Sequence, residues 1–507
     1  MISLSAPARD TSARTSLLDR RLPGRQCVLA WVVATAIFVG LIALLGGPTA
    51  NDASESLYST WAVAHGDFSC TYSPTPSDAA SFIPDYRPGP FVSPLWPLVS
   101  GGLAAVTSIG HDQPFPSQQA LGTSCTHADQ AMYRWAHQSR AMVPTLGLGY
   151  LTWFVLLAGV VALLRASGRG RTGWEAAGVI LVALTPLVWE PLLDEFHPQD
   201  LLAMGLVLAG LACALRRSWI WAGVLLGLAV LSQQFALLVL VPLFVVAPAR
   251  GRWRLAAASV ASGFLLALPF LATSRHAWHA IAIGTGNSPS YGGTFVRFLH
   301  LHGTPLVLVS RVIPVALAAA LAWWALRRLG AFALEPIPLL SLMATCISLR
   351  LVFEQNLFGY YFMALAIMLI VLEVVCGRIR GELVAWIAMA VLAFNPVPWG
   401  LAFNAPSWTF QLAAHLREIG MAIALVLIAW DAAHRRVRGY LVAWFVIALL
   451  AFGAWPPWTD TVRAQLPPWL WQLILLPTGV ALAAWPLVST MRRPKAGIEE
   501  SIEVATL

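Results

Sequence analysis

Charge is scarce in this chain. Only 11% of its 507 residues are Asp, Glu, Lys or Arg, against about a quarter in a soluble globular domain, and Lys495 is its single lysine. That scarcity excludes an ordinary water-soluble fold. Cysteine is scarce too: six residues are too few for a disulfide scaffold, and Cys27, Cys213, Cys346 and Cys376 lie in or at the ends of apolar runs. Only Cys70 and Cys125 share a polar loop, where they can pair if it faces an oxidising compartment. Internal repeats, low-complexity tracts and disordered linkers are all missing. The 38 Gly and 34 Pro are spread through apolar runs, a use that membrane helices tolerate because neighbouring helices re-satisfy the freed backbone groups. The net charge of +8 does not point to nucleic acid, because the basic residues come in ones, twos and threes between apolar segments. The positive-inside rule accounts for that spacing.

What is present is apolar: 58% of the residues, with a mean hydropathy of +0.70. A membrane span needs roughly 20 apolar residues to cross about 30 Å of hydrocarbon. Such runs occur at 27–47, 141–164, 174–192, 255–273, 305–326, 336–353, 357–376, 383–402, 410–431, 440–456 and 467–490, with a shorter one at 199–215. The run from Trp219 to Pro248 is flanked by Arg216-Arg217 and by Arg250, Arg252 and Arg254. Both flanks belong in the cytoplasm, so two crossings must fit between them. They are read as short helices, 219–232 and 235–248, hinged at Ser232-Gln233-Gln234. The expected fold is therefore an all-α polytopic membrane protein of 14 segments, with a range of 11–14, and both termini cytoplasmic. This orientation puts 23 of the 32 basic residues inside.

The expected organisation is a cytoplasmic tail at 1–26, one transmembrane domain at 27–490 and a second cytoplasmic tail at 491–507, in the cell inner (plasma) membrane. The first span is read as a retained signal anchor, being too long for a typical signal h-region. External loops are expected at 48–140 and 274–304. The first carries an amphipathic stretch, Glu55 to His65, and a more apolar one, Phe91 to Ile109. The second of these is read as interfacial, because crossing would put Arg165, Arg169 and Arg171 outside.

Three constellations bear chemistry. Asp52, five residues beyond the first span, can act as a general base toward a hydroxyl if partly desolvated, or simply cap the helix that follows it. The turn Asp194-Glu195-Phe196-His197-Pro198-Gln199-Asp200 pins three carboxylates and an imidazole at one membrane surface. It suits a cation, a diphosphate held through one, or a hydroxyl-bearing acceptor; its plain alternative is a solvated turn with Asp200 as N-cap. Arg350 and Glu354 lie four apart at the outer end of a span, followed by Gln355, Asn356, Tyr360 and Tyr361. Charge at membrane depth is expensive and faces the bundle interior, so this pair is a functional candidate, and an internal salt bridge is compatible with that. Gln233 and Gln234 add neutral donors at the hinge or cap a helix. The Gly147-x-Gly149 and Gly284-x-Gly286 pairs lack the strand context of a dinucleotide fingerprint. The tryptophans near span ends, such as Trp399, Trp455 and Trp469, read as an interfacial belt.

An acid after the first span, a long first external loop and a polar turn before a broken helix pair resemble the C-type (GT-C) integral membrane glycosyltransferases. The nearest likeness is to actinobacterial polyprenol-phosphate-mannose-dependent mannosyltransferases. It rests on His197-Pro198-Gln199-Asp200-Leu201-Leu202, on Ala222 to Ala229, and on Glu354-Gln355-Asn356 with Tyr360-Tyr361. The resemblance implies a polyprenyl-phosphate-linked sugar as donor, a glycan or glycolipid acceptor, membrane lipids as surroundings and no nucleic acid. It makes Asp52 the expected base. Glu55, Arg87, His197, Gln199, Asp200, Gln233, Gln234, Arg350, Glu354, Tyr360 and Tyr361 then fall on the substrate side. No resident cofactor is assigned and a divalent cation stays open. One departure matters: relatives commonly carry a lysine at the hinge, where this chain has Gln233 and Gln234. Arg350 or Arg87 is left to supply positive charge, or activity is lost. A transporter or lipid-linked-saccharide flippase, and a non-catalytic protein on the same fold, would use the same polar groups.

Overall fold

The computed structural model describes residues 17–45, 93–107, 142–193, 196–273, 304–354, 359–394 and 468–492, with single positions between 56 and 68 and between 277 and 301. Most of the loops expected at 48–140 and 274–304, and the runs 410–431 and 440–456, lie outside the described residues. Among those described, every regular element is helical. The only extended pairing among them is an isolated bridge between Arg21 and Thr172.

The helices are α1 (Gly24–Leu45), α2 (Leu95–Thr107), α3 (Met142–Ala166), α4 (Gly173–Leu184), α5 (Pro186–Leu193), α6 (Pro198–Leu215), α7 (Trp219–Ser232), α8 (Leu237–Val246), α9 (Ala249–Thr273), α10 (Ile313–Leu329), α11 (Pro336–Phe353), α12 (Met363–Val375), α13 (Gly381–Phe394) and α14 (Pro468–Met491). Six helical stretches among the described residues are long and apolar enough to cross a membrane, or seven if the bent pair α4–α5 counts as one span. Of the 14 expected segments, the runs 410–431 and 440–456 lie outside the described residues, and several of the others are bent or short. The run 174–192 bends by 67° between α4 and α5, where Pro186 has no N–H to continue the ladder. The elements α7, α8, α12 and α13 are only 10–14 residues long.

The expected hinge is where the chain breaks: α7 ends at Ser232, Gln233 is extended (φ −153°, ψ 132°), and a 3-10 turn, Gln234–Ala236, leads into α8. The arginine triplet expected to stay outside the next span is instead helical and opens α9. Its Arg252 donates to the carbonyls of Phe244 (2.9 Å), Val245 (2.8 Å) and Ala247 (3.3 Å). It thereby satisfies the orphan acceptors at the end of α8.

The core runs along α12, in which every residue from Met363 to Val375 is buried, and along α11, buried without a break from Pro338 to Ser348. A helix apolar on all sides belongs at the centre of the bundle. By contrast, α1 and α9 expose Val28, Leu29, Val39, Val260 and Leu265, the side chains of helices that face lipid. Small residues bring helices together. A Cβ on Gly159 of α3 would collide with the Gly205 carbonyl of α6, and one on Gly205 with the Val155 carbonyl. On α7, Gly223 and Gly227 sit against the α9 backbone at Leu255 and Ser259, and Ser259 Oγ donates to the Gly223 carbonyl at 2.9 Å. Close approach through glycine, with a hydroxyl across the seam, is how membrane helices associate where no hydrophobic drive separates helix from lipid. The Ser341 hydroxyl of α11 stands between the Ala483 carbonyl and the Leu487 N–H of α14, one helical turn apart.

Polar groups collect at two ends, linked by α6, which is about 27 Å long at 1.5 Å per residue. At the end where α3 finishes, Arg165 holds Glu175 through Nε (3.0 Å) and Nη2 (2.9 Å), and the Arg171 N–H donates to the same carboxylate at 2.8 Å. Arg169 donates to Asp19 (2.8 Å) and to the Val375 carbonyl (3.1 Å). Buried Glu373 is flanked by Arg378 and Arg380. The opposite end holds the candidate site.

Candidate functional site

The chain enters the site through Phe196, whose left-handed backbone (φ 57°) is rare for a bulky residue. Phe196 is buried against Gly149, and the Trp96 ring of α2 stands edge-on to it at 6.4 Å. Pro198 then opens α6, a position that suits its fixed φ and missing N–H. This puts Asp200 in the first turn, where the helix dipole favours a carboxylate. The N-cap position belongs to His197, and not to Asp200 as the plain alternative has it, and no side chain caps that helix.

Asp200 is buried and turned toward the hinge. Its Oδ2 accepts from Gln233 Nε2 at 3.2 Å and lies 3.6 Å from His197 Nδ1. His197 Nδ1 is also 3.0 Å from the Gln199 amide nitrogen, and Ser232 Oγ donates to the Gln199 carbonyl at 2.7 Å. The broken helix pair is therefore tied to the start of α6 at its break, through Ser232 and Gln233. Gln233 stands at the C-cap of α7, but its amide goes to Asp200; Gln234 opens the following 3-10 turn.

Two tyrosines carry the site across to α11. The His197 ring stacks on Tyr360 with centroids 4.3 Å apart, and Tyr360 meets Tyr361 edge-on at 4.7 Å. Tyr361 in turn lies 4.2 Å from the Arg350 guanidinium, whose other ring neighbour is Phe235, 5.3 Å away in the turn after the hinge. Arg350 also interacts electrostatically with Asp200. The expected Arg350–Glu354 pair is present, with Nε 3.2 Å from Oε2.

The structure adds a residue that pattern reading passed over. Arg311 Nη1 donates to the same Glu354 Oε2 at 3.2 Å, from a π-helical turn, Leu308–Val312. Such turns are frequent at functional sites. The signal was available: Arg311 lies inside the apolar run 305–326, where charge is costly and calls for a partner.

Eight expected residues thus meet in one continuous cluster: His197, Gln199, Asp200, Gln233, Arg350, Glu354, Tyr360 and Tyr361. Asp52, Glu55, Arg87, Asp194, Glu195, Gln355, Asn356, Cys70 and Cys125 lie outside the described residues. Among the described residues, no group of three or more His, Cys, Asp or Glu side chains is placed to hold a metal ion.

Part of the expected external loop borders the cluster. Trp96 Nε1 donates to Ser56 Oγ at 2.6 Å, and the Thr60 and Ser100 hydroxyls are 2.7 Å apart. The helical residues around Ser56 and Thr60 are held on α2 by these bonds, while Leu95 of α2 packs with Leu202 and Leu231 beside the hinge.

The model of Glycosyltransferase family 87 matches residues 139–353, less than half of the chain. The matched stretch takes in α3 to α11, with His197, Asp200, Gln233, Arg311 and Arg350, and stops one residue before Glu354. No curated protein and no solved structure matches the chain. On the family match, the chain is a glycosyltransferase enzyme, and its apolar helices make it a multi-pass membrane protein.

Proposed function

We propose that the protein moves a sugar, mannose or another hexose or pentose, from a polyprenyl-phosphate donor to a glycan or glycolipid of the cell envelope, at the non-cytoplasmic face. The observation that carries this reading is the pair of guanidiniums, Arg311 and Arg350, meeting at Glu354 beside the His197–Asp200–Gln233 cluster. A leaving lipid phosphate needs positive charge fixed in a low-dielectric site, and arginine matches phosphate with paired donors. The two arginines supply the charge that a hinge lysine would otherwise bring.

In this mechanism Asp52 takes the proton of an acceptor hydroxyl. The oxygen attacks the anomeric carbon, the bond from that carbon to the phosphate oxygen breaks, and the polyprenyl phosphate leaves with the electron pair. Because phosphate is a good leaving group, the protein mainly supplies a base, positive charge and alignment. Support for Asp52 comes from its nearest described neighbour in sequence: Ser56 is bonded to Trp96, whose ring abuts Phe196 next to His197.

The test is sugar transfer by membranes containing the protein, given a polyprenyl-phosphate sugar and candidate acceptors. Asp52→Asn should lower the rate by about 100-fold or more, at an unchanged protein level. Transfer by that variant at the wild-type rate would remove Asp52 as the base, and absence of donor turnover under every condition would remove the polyprenyl-phosphate reading.

A further inference from the structure

We propose that Glu354 is a resident counter-ion, which the donor phosphate displaces on arrival and which returns to the two arginines to expel the lipid phosphate after transfer. This rests on the polyprenyl-phosphate reading above and concerns how the same site is filled and emptied.

The first ground is how loosely Glu354 is held by the arginines. Both use one oxygen, Oε2, and both contacts are 3.2 Å. Charge-assisted bonds at full strength run about 2.7–2.9 Å, often as parallel pairs. Arg165 and Glu175 at the other end approach that arrangement, with two nitrogens on two oxygens at 3.0 and 2.9 Å. Glu354 also stands at the C-cap of α11 with an extended backbone (φ −68°, ψ 143°). Its withdrawal breaks no helical turn.

The second ground is that the arginines keep their places without it. Arg350 lies between the Tyr361 and Phe235 rings, which hold a guanidinium by its faces and leave its N–H groups for an anion. Arg311 Nε is buried and has no hydrogen-bond partner among the described residues, a donor set waiting for an acceptor. The donor phosphodiester offers two unbridged acceptor oxygens and the leaving monophosphate three, whereas the carboxylate meets both cations through Oε2. The nearby Asp200 is held by Gln233 and His197, whereas Glu354 is the carboxylate that both arginines touch.

The same exchange serves release. A phosphate held by two partly buried arginines would leave slowly, and a tethered carboxylate that competes for the same N–H groups lowers that barrier.

Binding of polyprenyl monophosphate, without sugar, to the purified full-length protein in lipid nanodiscs tests this. Glu354→Gln should bind about tenfold tighter than wild type, since a neutral amide competes less for the guanidiniums, while transfer at saturating donor slows. Glu354→Asp keeps the charge but shortens the reach, and should fall between the two; it serves as the deciding variant if the glutamine form does not fold. Arg311→Ala should bind more weakly than wild type. Equal or weaker binding by folded Glu354→Gln, or by folded Glu354→Asp, overturns the counter-ion role while leaving the donor reading intact. If wild type and both Glu354 variants fold yet none binds polyprenyl monophosphate, the donor reading falls and takes the counter-ion with it.

Discussion

The two polar ends of the bundle use the same residue types in opposite ways. Around Glu175 the arginines are closed off, although at the same end the buried Nε atoms of Arg378 and Arg380 beside Glu373 make no hydrogen bond among the described residues. Arg165 is paired through two nitrogens, Arg169 joins Asp19 to the Val375 carbonyl, and an Arg171 N–H completes Glu175. At the Glu354 end two arginines share one oxygen, and Asp200 is bonded to a neutral amide beside an imidazole, with Arg350 near it. A buried charge whose partner is removed is strongly destabilising, so complete pairing suits a structural joint. Incomplete pairing, stabilised by aromatic rings in place of carboxylates, suits a place where an anion comes and goes. Pairing quality, and not the mere presence of charge, separates Glu175 from Glu354.

The sharpest way to break this contrast is at Arg350. Arg350→Ala should reduce transfer by about 100- to 1,000-fold, the scale of removing one donor to developing negative charge, with a melting temperature near that of wild type. A loss of folding with no effect on the activity of the folded remainder would put Arg350 with the joints. Next in size is Glu175→Gln at the other end. It should cost about 2 kcal/mol of stability, less than a fully buried pair because Arg165 is partly solvated. Thermal unfolding would register it, and transfer per folded molecule should be unchanged. The smallest effect is expected for Gln233→Leu, which strips Asp200 of its amide donor. About 1–2 kcal/mol of stability and a modest fall in transfer should follow; wild-type values in both would make the hinge bond incidental.

Much of the architecture is legible in the residue order, for identifiable reasons. The break at Gln233 follows from arginines on both flanks of a run too short to be two full spans, and the structure breaks there. The Arg350–Glu354 pair follows from the cost of charge at depth and from a four-residue spacing on a helix. The bend at Pro186 was readable from the proline but lost inside an unbroken apolar run. Arg311 was missed because the positive-inside rule examines the flanks of spans, and Arg311 lies within one. Its partnership with Glu354 joins residues 43 positions apart, which no local pattern records. The stacking of Tyr360 on His197 and the seat of α2 beside Phe196 are likewise tertiary facts.

The contact between Gly159 and Gly205 has a mechanical consequence. Two helices that touch backbone to backbone cannot slide past one another, so α3 and α6 form a strut that carries Arg165 at one end and Asp200 near the other. A thicker or thinner bilayer must then be accommodated by the lipid-facing helices α1 and α9 or by the lipid itself, each at a fraction of a kcal/mol per Å. The strut keeps its length while the membrane surface moves along it. On the lipid-linked donor proposed above, acyl-chain length then becomes a handle on how readily that donor reaches Asp200 near the end of the strut.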